Sequence, residues 1–333
     1  LFCLMPAWVQ GQDIVWTLQF GTSSNDYAYN IAVDASSNLY VAGVAGAALP
    51  GQTTAGWADV YVRKYNQAGV ELWTRQFGTT DNDGVAGIAV DNSGNVFVVG
   101  NVTPALPGQT ALGSGDAFVR KYDSAGTELW TRQFGTTAID VVGGVGVDAS
   151  GNCYLAGYTY GSFPGFTISG QRDAWVRKYN SAGTEAWTRQ FGTAAGDEGY
   201  GVAVDPAGNS YVTGNTYSNF PGLTKTGYYD CFIRKYDTSG NAIWTTQFGV
   251  SGQSVDPVEI SIDASTNLYV FGNTYGTFPG ETNTGSQDIY VRKHNSAWTV
   301  QWTRQFGSTG YDWCRGGGVD AAGNSYATGS SGA

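Results

Sequence analysis

Carboxylates recur in this sequence at two fixed places. Asp34, Asp91, Asp148, Asp205, Asp263 and Asp320 each open an Asp-x-x-x-Asn turn. Asp26, Asp83, Asp140, Asp197 and Asp312 each lie eight residues before one of them. A calcium loop needs six to eight oxygens and ends in a bidentate acid. These turns carry one Asp each and no such acid, so their Asp and Asn are expected to bond their own backbone. The earlier acids could ring one rim and bind a cation, or each could pair with the Arg of a recurring Arg-Lys dipeptide. The pairing is the expectation, because a residue present in every copy is usually architecture. On that ground Asp91, Asp148, Arg120 and Arg177 are structural residues, as are Trp73, Trp130, Trp187 and Trp244.

Non-repeating chemistry must therefore sit where the copies differ. Three copies carry an aromatic pair in a long loop: Tyr160 with Phe163, Tyr217 with Phe220, and Tyr275 with Phe278. The first two copies have Leu49 and Leu106 at the Phe position and no Tyr. Such an aromatic half-rim could stack sugar rings or grip a peptide; alternatively the rings pack the loop onto its own sheet. The fifth copy holds an insertion in the segment 250–257, with its acid displaced to Asp256 and with Glu259 following. Trp313, Cys314 and Arg315 depart from the pattern next. The single histidine, His294, replaces a repeated Tyr. No Ser-His-Asp arrangement, His/Cys metal cluster or phosphate-cradling loop can be assembled. No catalytic residue, metal or cofactor is assigned.

The elements that position these residues are read from self-similarity. W-T-x-Q-F-G begins at Trp16, Trp73, Trp130, Trp187, Trp244 and Trp302, at intervals of 57, 57, 57, 57 and 58 residues. Within one copy, four runs rich in β-branched and aromatic residues are separated by Asp, Asn and Gly, as in Ile88-Ala89-Val90, 96–99, 117–122 and 128–134. Such runs are strands. Four strands per copy, repeated radially, describe the blades of an all-β propeller. Charged residues are only 13% of the chain and glycine supplies 49 of its 333 residues, as expected for short strands and tight turns. The net charge of −10 argues against nucleic acid. Its 17 basic residues lie mostly in five Arg-Lys pairs and four WTRQF segments, spread around the ring.

The runs Val90-Asp91-Asn92-Ser93-Gly94-Asn95-Val96-Phe97-Val98-Val99-Gly100 and Asp116 to Asp123 resemble the SBBP family of bacterial propeller repeats, from Asp13 to the end. NHL-type propellers are similar more weakly. The resemblance implies a strand order with the GIAVD strand innermost and WTRQFG outermost. It implies no established activity. Five complete blades and an incomplete sixth are expected, and six or seven blades in the intact protein. The chain is expected to be cut at its C-terminus, with the segment after Asp13 completing the last blade. Removing Asp13 to Gly21 should then weaken that blade first.

Residues 1–12 read as the tail of a secretory signal, with Val9-Gln10-Gly11 offering small residues for cleavage; residues 13–333 form a single propeller domain. Cys3, Cys153, Cys231 and Cys314 occupy different phases of the repeat and imply no disulfide framework. Nothing is long enough to span a membrane. The leading expectation is a secreted, periplasmic or cell-surface module that binds a glycan, peptide or partner protein. A propeller glycan hydrolase or lyase with acids in its channel, or a purely structural part of a larger surface protein, are the alternatives. Fold alone does not choose among them.

Overall fold

A computed structural model describes residues 16–332. The expected leader, 1–12, lies outside the described residues. There are 22 strands and, among the described residues, no helix. Five four-stranded antiparallel sheets follow one another: 26–77, 84–134, 140–191, 197–248 and 255–306. A two-stranded sheet, Asp312–Val319 with Ser325–Ser331, begins the sixth blade. In every complete sheet the strands lie in chain order, so each blade is a meander from inner strand to outer strand.

The tight turn after each inner strand closes as its sequence requires. The Asp91 carboxylate accepts the backbone N–H of Ser93 and Asn95 and the Asn95 amide. Gly94 supplies the positive φ of 76°. The same bonds recur at Asp148 and Asp263. The aspartate oxygens are thus occupied by their own turn.

The core lies between blades. One apolar cluster joins Phe97, Val99 and Val119 of blade two to Leu155, Trp175 and Tyr179 of blade three. The outer-strand tryptophans lock the joint. Trp130 Nε1 donates to the Ser181 carbonyl of the next blade at 3.2 Å, and Trp73 and Trp187 repeat the bond at 3.1 Å. The Trp130 ring lies over Gly183, at φ 77°, where a Cβ would stand 2.6 Å from it.

The expected Arg–Asp pairing is corrected. Arg120 bonds Thr131 at 2.7 Å and pairs with Glu128 at 3.3 Å, both on its own blade's outer strand. Arg177 does the same with Thr188 and Glu185. The acids of the Asp83 set instead cap the preceding loop: Asp83 and Asp140 accept the N–H and hydroxyl of Thr79 and Thr136. In four of the five dipeptides the lysine reaches the turn aspartate, as in Lys121–Asp91 at 3.7 Å. The strand alternation explains the split, because adjacent residues face opposite sides of a sheet.

The first blade has a bare inner face. Ile31 is 62% exposed, whereas its counterparts Val202 and Ile260, each covered by the preceding blade, are 4% and 2% exposed. Trp16 to Phe20 lies against blade one, not the sixth sheet. Trp16 Nε1 donates to the Gln67 carbonyl at 3.0 Å, and Phe20 meets Tyr61 edge-on beneath the Arg63 guanidinium. This reverses the expected effect of removing Asp13 to Gly21. Hydrogen exchange should show protection lost first over Asp59–Phe77 of blade one. Trp130→Ala should cost about 3 kcal/mol or more in urea unfolding. Gly183→Ala should cost more than about 1 kcal/mol, from its φ and the ring above it; a neutral result would remove the lock from the account.

Candidate functional site

The long loop between the second and third strands is built to hold its place. Pro164 and Gly165, at φ 83°, form a turn closed by the Phe166 N–H on the Phe163 carbonyl at 2.9 Å. Gln190 of the outer strand accepts the Phe163 N–H at 2.9 Å and donates to Gly161 and Asp173. Phe163, 1% exposed, packs on Phe134 and Trp175. Phe220 and Phe278 are equally buried. The phenylalanines therefore offer no surface, and Leu49 and Leu106 plug their own loops in the same way.

The tyrosines behave differently. Tyr160, Tyr217 and Tyr275 directly follow the second strand. Their backbone N–H groups donate to Ile139, Gly196 and Ser254, which fixes each ring beside the start of an inner strand. Tyr160 is 45% exposed, and Tyr217 and Tyr275 are half-buried. Between them lie residues that composition and spacing had not singled out. Arg172 immediately precedes the third strand of blade three, where blades one and two have Ala58 and Gly115. Its guanidinium stands 5.9 Å from the Tyr160 ring and 5.2 Å from that of Tyr217. It pairs with Glu198 of blade four at 2.5 Å, and the Tyr200 hydroxyl donates to the same carboxylate.

Asp256 is not a displaced copy of the loop-capping acid. Pairing across each blade aligns Val255 with Asp197, and Asp256 with Glu198. Val255 is buried, and the inserted loop before it closes itself through the Gln253 N–H on the Val250 carbonyl at 3.0 Å. Asp256 points to the opposite side, toward the rim. It accepts the Tyr229 hydroxyl at 2.8 Å and the Asn215 amide at 2.6 Å. Burial pushes its carboxyl above the usual carboxylate range, against those two bonds. Burial and the Asp256 charge raise the Tyr229 phenol, and also that of Tyr275.

Trp313 takes the same place in the sixth sheet, with Arg315 at 5.6 Å above its ring. Arg315 stands at the strand irregularity that Tyr200 occupies in blade four. Tyr160, Tyr217, Asp256, Tyr275, Trp313 and Arg315 thus fall along one rim, joined by Arg172, Glu198, Tyr200 and Tyr229. The signal was present in the sequence: Arg172, Glu198 and Tyr229 each occur once at a variable position, and Tyr200 is shared with Tyr29 of blade one alone among the described blades. His294 lies in the core, stacked on Trp298 with ring centres 4.3 Å apart.

Glu259 belongs elsewhere. Gly201, its counterpart in blade four, faces Ile260 of the next blade, so Glu259 faces the sixth blade, where Gly317 replaces that isoleucine. Burial pushes its carboxyl up to about 7. A carboxyl that holds its proton more tightly folded than unfolded makes stability fall as pH rises from about 4.5 to about 7. Glu259→Gln should therefore be more stable than the parent at pH 8 and indistinguishable at pH 4, compared by urea unfolding.

Sequence comparison adds two relatives. An uncharacterized WD repeat-containing protein of Acanthamoeba polyphaga mimivirus is 24% identical over 318 residues, covering 70% of this chain and 23% of the relative. Regulatory protein FlaEY of Caulobacter vibrioides is 31% identical over 179 residues, covering 47% of this chain and 19% of the relative. The chain thus spans about a fifth of the length of these curated relatives. A gluconolactonase of Xanthomonas campestris superposes with a TM-score of 0.38 at 13% identity, covering 73% of this chain and 68% of that one. The SBBP beta-propeller repeat matches six times, at 15–48, 72–101, 129–164, 186–221, 243–279 and 301–333, and with its blades and tight turns in place the chain belongs to that family.

Proposed function

We propose that this propeller is a protein-interaction module whose contact surface is the tyrosine-rich rim of blades three to five. One observation carries the reading. The side chains common to all copies are engaged in holding blades and loops, whereas Tyr160, Tyr217 and Tyr275, present in three copies, and Arg172 and Asp256, each present in one, are adjacent and reach the surface above the buried Glu198. Aromatic rings with a polar tip, beside Arg, are the residue types that dominate interface energetics. The WD-repeat description of one relative agrees in kind. The rim carboxylates suit binding better than hydrolysis, since Glu198 is held by Arg172 and Tyr200, and Asp256 by a phenol and an amide.

A secreted or cell-surface setting is part of the proposal. It rests on the apolar stretch at the start of the chain, and the buried free thiols of Cys153, Cys231 and Cys314 are compatible with it. A glycan ligand is the competing occupant of the same rim, because tyrosines also stack on sugars. The test is selection from a displayed peptide library on the wild-type chain, followed by binding to a Tyr160→Ala/Tyr217→Ala/Tyr275→Ala variant. Enriched peptides are expected to lose at least tenfold in affinity on the variant, with its melting temperature within a few degrees of the parent. No enrichment, or equal binding to the variant, would end the reading, and rim-dependent binding on a glycan array alone would replace it.

A further inference from the structure

The rim repeats one cell with its cation replaced, its carboxylate shortened from Glu to Asp, and Val258 in the place of Tyr200. Between blades three and four, Tyr160 and Tyr217 flank the Arg172 guanidinium, which pairs with Glu198. One repeat on, Tyr217 and Tyr275 take the places of the two tyrosines, Asp256 takes that of Glu198, and Tyr229 that of Arg172. The walls and a carboxylate are kept, and a neutral phenol stands where the cation was. We propose that this second cell, bounded by Tyr217, Tyr229, Tyr275 and Asp256, receives an arginine side chain of a partner protein. The proposal rests on the interaction reading above and names the chemistry of the partner.

Three features support it. First, the molecule displays the fit itself: a guanidinium between two such tyrosines and against such a carboxylate is what the neighbouring cell holds. Tyrosine faces attract a cation through their quadrupole. Second, among the described residues no Lys or Arg lies within ion-pair distance of Asp256. The Tyr229 hydroxyl supplies a hydrogen bond there without charge, and its ring lies 5.1 Å from that of Tyr217. Third, Asn215 beside Asp256 is short of a donor. In two other blades the equivalent asparagine oxygen accepts a backbone N–H of the next blade, Val142 at 3.3 Å and Cys314 at 2.6 Å. Here that residue is Pro257, which has no N–H. Asn215 is 2% exposed, turns its amide to Asp256, and leaves Oδ1 buried without a partner.

A guanidinium carries five N–H donors, against three on an ammonium, in a planar fork that matches a carboxylate and stacks on aromatic faces. Arginine is therefore preferred over lysine. The overall charge of −10 favours approach of a basic partner.

The experiment titrates the intact chain with acetyl-Gly-Arg-Gly-amide, and separately with the citrulline and lysine analogues, by NMR of labelled tyrosines. The arginine peptide should bind saturably in the millimolar range, shift the Tyr217, Tyr229 and Tyr275 ring signals, and bind at least tenfold more tightly than its uncharged citrulline analogue. Asp256→Asn should abolish saturation in a chain that still unfolds in one cooperative transition, and Asp256→Glu should restore it. Arg172→Ala should open the first cell and move the stoichiometry from one toward two. Equal binding of arginine and citrulline peptides, or no saturation by a folded chain at 20 mM, would overturn the assignment. So would rim-dependent library peptides that contain no basic residue, an outcome that leaves the interaction reading standing. A library that enriches nothing would remove that reading instead.

Discussion

Each blade is apolar on both faces of its sheet, so none can shield itself, and every structural feature of the chain answers to that constraint. Stacking covers the faces, and stability follows nearest neighbours. A buried Trp or Phe removes about 150–250 Å² from water, worth several kcal/mol per blade before entropy is counted. The tryptophan lock adds direction to a non-directional force. An indole N–H that must find one carbonyl of the next blade, over a glycine that leaves room for the ring, allows one relative placement of two sheets. Cations bridge the joints: the Arg177 guanidinium lies 4.1 Å from the Phe134 ring of the preceding blade, and the Lys178 ammonium donates to the Thr238 carbonyl of the next at 3.3 Å.

The same constraint decides where variation is tolerated. A change at Trp130, Gly183 or Asp91 would be repeated damage to a joint or turn. A change at the residue after the second strand alters no joint, because its backbone carries the bond that holds it. Tyr160, Tyr217 and Tyr275 occupy that place, and Gly46 and Thr103 occupy it in the first two blades. The rim is thus a rigid frame with exchangeable side chains. It passes from small residues on one side of the arc to aromatic and charged ones on the other.

Several residues mark how far the sequence could be read. The turn aspartates were legible because their partners lie within four residues. Arg120 was assigned the wrong acid, although Glu128 is only eight residues away. The matching Glu recurs in three blades and is Ala242 or Val300 in the others, so the repeat pattern favoured the more regular Asp. The phenylalanines and tyrosines of the long loops looked alike by spacing. The loop turn sends one ring inward and leaves the other out, and no composition distinguishes them. Asp256 was noticed for the right reason, divergence, and misread by one residue, which in a strand means the other face. Arg172 and Glu198 are 26 residues apart in chain order and meet only because neighbouring blades bring their edges together.

By itself the sequence determined the period, the four strands of each blade, the tight turns and the residues that could not vary, because all of these depend on local pattern repeated six times. Tertiary structure decided which acid meets which base, which aromatic ring is core and which is surface, and that two successive cells of the rim share walls but differ in charge. Those outcomes depend on contacts between blades. A contact between blades is set by the angle and separation at which two sheets pack, a quantity no single repeat encodes.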